Sequence, residues 1–108
     1  MSLSCESIAR QILPLYRSAA AKELIAKYKF TQIEAAKKLG TTQAAISQYV
    51  NSKRGFRDIP NYEKVAPLVN EAAARVAKRI TTTEMGPAEF NASFCELCKK
   101  LRQSKLCL

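Results

Sequence analysis

The stretch from Thr31 to Asn51 constrains this 108-residue chain more than any other. Thr31 is a good helix N-cap, and Glu34 follows three residues later, the spacing at which the two side chains satisfy each other's backbone N–H groups. The helix they open runs to about Leu39. Gly40 ends it, because glycine tolerates the left-handed conformation in which helices stop. Thr41 or Thr42 caps a second helix, which continues to about Val50. Asn51, Ser52 and Gly55 mark its exit into a loop carrying Lys53, Arg54 and Arg57. Two short helices joined by so tight a turn must cross closely, which needs a small residue on the first, and Ala36 supplies it. Ile46 and Tyr49, three apart, give the second helix a buried face. Thr42, Gln43, Ala44, Ser47, Gln48 and Asn51 fall on its other face, where side chains are short, mostly polar and uncharged.

The remaining sequence also reads as helix. Gly and Pro are scarce, at 3 and 4 copies, while Ala, Leu, Lys and Glu abound, so the expected class is all-α. A short helix is expected over 4–13, capped by Ser4, with Ile8, Ile12 and Leu13 as its apolar stripe and Pro14 ending or kinking it. A longer amphipathic helix covers 15–28, with Tyr16, Ala20, Leu24, Ile25 and Tyr28 inward and Lys22, Glu23 and Lys27 outward. Pro60 suits the first turn of a helix reaching roughly residue 80, apolar along Val65, Leu68, Val69, Ala72, Val76 and Ile80. Residues 81–87 form a linker. A last helix starts at Pro87 or Ala88, carries Phe90, Phe94, Leu97 and Leu101 on one face and ends near Gln103. The length suits one domain over 1–108, with a core region at 15–80, the two-helix motif at 32–51 and a cysteine-bearing helix and tail at 81–108.

Charge points outward to a polyanion. The net charge is +9, and between Lys27 and Arg57 seven basic residues (Lys27, Lys29, Lys37, Lys38, Lys53, Arg54, Arg57) face Glu34 as the only acid. An anionic membrane surface would attract the same charge. No apolar run approaches the roughly 18 residues of a membrane span, and Glu6, Arg10 and Pro14 interrupt the N-terminus where a signal peptide needs apolar residues. A cytoplasmic location is expected. The chain has no histidine, which removes the commonest general base and every Cys–His or Ser–His pair. It has no Gly-rich phosphate loop either, so no enzyme is expected.

The segment 32–51 resembles the helix-turn-helix of the Cro and phage-repressor class. The run from Gly40 to Gln43 and the later Ser47 and Gln48 are similar to phage-repressor recognition helices. The resemblance, with its supporting helices, extends to roughly 15–80 and implies a domain of about five helices, here with extra N-terminal and C-terminal helices. It further implies a homodimer that binds double-stranded DNA and regulates transcription, without a membrane. By that resemblance Gln32 touches a phosphate and braces Gln43, whose amide can pair with adenine. Ala44 suits a thymine methyl, while Thr42, Ser47 and Gln48 reach further bases. Asn51, Lys53, Arg54 and Arg57 serve the DNA backbone. The apolar faces of the helix near 61–80 and of the C-terminal helix suggest the dimer surface, or else they complete the core of one chain. A protein–protein adaptor of the same fold is the rival, and it would carry acidic or bulky apolar residues on the recognition face.

The four cysteines lie outside this motif: Cys5 before it, Cys95, Cys98 and Cys107 after it. Four thiolates can hold zinc or an iron–sulfur cluster, and Lys99, Lys100, Arg102 and Lys105 nearby favour the thiolate form. Disulfides and plain buried thiols are the two competing readings of the pattern. A metal or cluster would make the protein a redox- or metal-sensing regulator. The whole chain, cysteines included, resembles a group of small predicted regulators in archaea.

Overall fold

The computed structural model of the chain describes residues 3–51 and 62–103, with side chains from Arg10 onward except Gln11 and Arg102. Five helices occur in order: α1 (Leu3–Tyr28), α2 (Gln32–Leu39), α3 (Gln43–Asn51), α4 (Tyr62–Thr82) and α5 (Pro87–Gln103). No strand occurs among the described residues, and the fold is all-α.

The two N-terminal helices expected from the sequence are one. α1 continues through Pro14, although proline removes a backbone donor and crowds the carbonyl four residues back. Ile12, Leu15 and Tyr16 on either side of it are buried. Burying a large side chain is worth about 1.5–3 kcal/mol, so the three together outweigh a proline cost of about 3 kcal/mol.

α1 ends at Tyr28 because Lys29 turns left-handed, with φ 60°. The Phe30 N–H then donates to the Leu24 carbonyl, six residues back, at 3.1 Å, and the Phe30 ring packs against the core, so both tie the turn back onto the helix it ends. A lysine in this conformation is strained where glycine is not, by roughly 1–2 kcal/mol. Lys29→Gly is therefore expected to raise stability by about 1 kcal/mol in urea unfolding, with Lys29→Ala near neutral. Equal midpoints for the two variants would show that the left-handed turn is not what limits this helix end.

The core draws on every helix, and α4 lies along α1 in the most extensive of the helix contacts. Val65, Val69, Ala73, Val76, Ala77 and Ile80 of α4 are buried, with Leu68 and Ala72 at the edge. The hydroxyls of Thr81, Thr82 and Thr83 donate back to the carbonyls of Lys78 and Arg79, and the Arg79 carbonyl also accepts from the Thr83 N–H at 2.9 Å, which reinforces the last turn. α4 thus extends into the expected linker, while Pro60 lies outside the described residues.

α5 opens with Pro87 in its first turn, where a missing N–H costs nothing. The Gly86 N–H donates to Glu89 Oε1 at 2.8 Å. That bond and the Glu89 backbone N–H hold the Glu89 carboxyl below its ordinary range. Phe90, Leu97 and Leu101 are buried and Phe94 packs at the core edge, as their spacing predicts. The Phe90 ring stacks on Tyr16 with centroids 4.9 Å apart and planes within 10°. Ser93 gives its proton to the Phe90 carbonyl at 2.6 Å, so at 2.7 Å the Tyr16 hydroxyl is the donor to Ser93 Oγ. The apolar faces of α4 and α5 thereby complete the core of one chain, and they do not form a free dimer surface.

Burial pushes the Tyr16 phenol above its ordinary 10.0, outweighing the Ser93 hydroxyl, which can turn to donate to a phenolate, and the weaker pull of the Arg79 guanidinium. Just above that ordinary value the unfolded chain releases this proton while the folded chain holds it. Stability should therefore fall as pH rises from about 10 through the folded value. Tyr16→Phe is expected to flatten this part of the stability profile in urea melts across alkaline pH. An unchanged slope would assign the alkaline loss to other groups.

Candidate nucleic-acid interface

The α2–α3 hairpin is fixed by its own backbone caps. Thr31 N–H donates to Glu34 Oε1 at 2.8 Å, and Glu34 N–H donates to Thr31 Oγ1 at 3.1 Å. Both halves of the expected capping box are present, and the Glu34 carboxylate is engaged there. At the other end Gly40 adopts φ 71° and ψ 36°, and its N–H donates to the Ala36 carbonyl. Thr41 N–H donates to the same carbonyl at 3.0 Å. A Cβ on Gly40 would lie 3.0 Å from Pro87 Cβ, so the turn is tight on two counts: its own backbone and the start of α5 against it. Thr42, not Thr41, caps α3, with Oγ1 accepting from Ala45 N–H at 3.1 Å.

Burial divides the two short helices into faces. Ala35, Ala36 and Leu39 of α2 and Ile46 of α3 are buried, and Tyr49 packs against the core. Gln43, Ala44, Gln48 and Asn51 are exposed, and Ser47 is half-buried beneath Asn51, whose Nδ2 donates to Ser47 Oγ at 3.3 Å. These residues share one arc of α3, which bears no charged side chain. Gln43 Nε2 donates to Gln32 Oε1 at 3.4 Å. That long bond joins the first residue of α2 to the first residue of α3 and is weak enough to yield to a better partner. Thr42 is exposed, and its hydroxyl, while accepting the cap bond, keeps a proton to donate.

Lys29 and Lys37 are exposed beside this hairpin, Lys38 is half-buried, and Lys27 pairs with Glu23 at 3.0 Å. Lys53, Arg54 and Arg57 lie outside the described residues. Val50 and Ile33 are the exposed large hydrophobics among the described residues, at 37 % and 52 %. Neither figures among the candidate residues from the sequence. Val50 follows Ser47 by three residues on the same arc, a spacing that was visible, and its side chain suits an apolar contact in a groove.

The cysteines do not assemble among the described residues. Cys95 is exposed and Cys98 half-buried, one turn apart on α5, with no disulfide between them. Cys107 and the Cys5 side chain lie outside the described residues. Among the described residues no group of three His, Cys, Asp or Glu side chains could hold a metal ion, and no helix is long and apolar enough to cross a membrane.

Residues 22–58 match a helix-turn-helix family model, of the Cro type. The match spans the end of α1, all of α2 and α3 and the segment after them, about a third of the chain. It supports a DNA-binding regulator in general terms. No curated protein and no solved structure matches the chain.

Proposed function

We propose that this chain is a transcriptional regulator that binds double-stranded DNA sequence-specifically, with α3 in the major groove. The observation that carries this reading is the uncharged, exposed arc of α3 on a hairpin locked by caps at Thr31, Gly40 and Thr42. A groove about 12 Å wide admits such a helix, and amide and hydroxyl groups can read base edges there. Gln43, Ala44, Ser47, Gln48 and Thr42 are the base-reading candidates. Gln32, Asn51, Lys53, Arg54 and Arg57 are the backbone contacts. The DNA-binding part lies within 15–80 of a single domain, acting in the cytoplasm. A nuclease reading finds no support at Glu34, whose carboxylate is already bonded within its capping box.

The protein acts as a homodimer in this reading, because one short helix covers few base pairs and paired readers span two half-sites one helical turn apart. The contact surface lies outside the buried faces of α4 and α5. Selection from a random DNA pool tests the whole reading. Enrichment of a two-fold motif supports it, while recovery of unrelated sequences overturns it.

Salt supplies a second test. Binding should weaken steeply with salt as lysines and arginines release counterions from phosphates. Lys53→Ala and Arg54→Ala should each flatten the log–log slope by about one unit, since each neutralises one phosphate. A salt-independent affinity would remove the role assigned to these cations.

A further inference from the structure

A cleft of about 260 Å³ lies between α1, α4 and α5, and no residue of α2 or α3 lines it. Two helix stripes build it. Arg75 and Arg79 stand one turn apart on α4, and Ser93, Glu96 and Lys100 follow one face of α5. Tyr16 reaches it from α1, with its hydroxyl bonded to Ser93. Val76 and Leu97 add apolar wall. Three cations thus meet one carboxylate in a recess to which α3 contributes no residue.

Two of these three cations are not engaged in ion pairs among the described residues. Arg75 pairs with Glu71 along the surface of α4. Arg79 and Lys100 have no salt-bridge partner among the described residues. Arg75 and Arg79, four apart on one helix, repel each other. Guanidinium groups are weakly hydrated forks that match carboxylate or phosphate oxygens in pairs. The recess falls just below the roughly 300–1,000 Å³ of drug-sized sites, which suits a small metabolite and excludes a protein segment.

We propose that this cleft binds a small organic anion, a carboxylate or a phosphate monoester. Arg79 and Lys100 meet its charged end, and Val76 and Leu97 carry its stem. α5 also supplies Pro87 against the Gly40 turn, so one helix joins the cleft to the α2–α3 hairpin. Such binding depends on α1, α4 and α5 and holds whether or not α3 reads bases.

Calorimetric titration of the full chain, without DNA, tests this. Succinate and glycerol phosphate are the two probes, at an ionic strength held constant with chloride. Saturable one-to-one binding of either supports the site, and the arm that binds distinguishes carboxylate from phosphate. Arg79→Gln and Lys100→Gln should each weaken that binding roughly tenfold, the scale of one charge-assisted hydrogen bond. Lys78→Gln, an exposed change outside the cleft, should leave it unchanged. The exposed position of both test residues predicts unaltered melting. No saturable heat with either probe, or heat that both variants leave unchanged, overturns the site. So does a finding that Arg79→Gln weakens only random-sequence DNA binding, which would make these cations a backbone contact.

Discussion

Phe90→Ala is expected to lower folding stability by about 3–5 kcal/mol, the range for removing a fully buried aromatic ring. Phe90 has no exposed surface and stacks on Tyr16, itself buried, at 4.9 Å. Truncation removes the ring, leaves a cavity beside Tyr16 and loosens the helix whose first residue abuts Gly40. A domain of this size is stable by only about 5–15 kcal/mol, so a large part of the margin goes. Phe90→Leu keeps most of the volume and should cost less than about 1.5 kcal/mol. Urea unfolding of the two variants measures the difference. A Phe90→Ala protein with the parent midpoint would mean that α5 is not docked on α1, and the cleft beside it would lose its third wall.

What the sequence makes legible is what local chemistry decides. The Thr31–Glu34 capping box, the left-handed Gly40 and the two faces of α3 all follow from residues within four positions of one another, and each is present in the structure. Pro14 misleads because its rule is local and the answer is not: burial of Ile12, Leu15 and Tyr16 carries the helix through it. Ala73 and Ala77 of α4 fall beside the expected stripe, which took Ala72 instead, yet both are fully buried while Ala72 lies at the core edge. The faces of α4 and α5 look like a partner surface while α1 is counted as two separate helices. As one 26-residue helix, α1 offers enough surface for α4 to cover. The Gln32–Gln43 bond was readable through resemblance, since nothing in spacing alone joins residues eleven apart. The cleft was not readable at all, because Tyr16 and Ser93 meet across 77 positions of sequence.

Gln43→Ala is expected to weaken binding to the selected site by roughly 1–3 kcal/mol, the discrimination of one bidentate base contact. Affinity for random DNA should barely move, because phosphate contacts supply that binding and Gln43 carries no charge. The geometry explains why this residue should dominate. It is the first residue of α3, exposed, and its Nε2 is steered by Gln32 Oε1 at 3.4 Å. A glutamine amide so placed can donate to adenine N7 and accept from adenine N6, and Gln32 limits the rotamers that must be frozen on binding. Gln32→Ala should therefore cost less than Gln43→Ala, and the double variant less than the sum, since Gln32 acts on base reading only through Gln43. Competition assays with single-base variants of the site locate the contact: the Gln43→Ala protein should lose its preference at one position and keep it elsewhere. Equal losses on selected and random DNA would show that Gln43 supports the fold or the backbone contacts, and base reading would pass to Ser47, Gln48 and Val50 on the same arc.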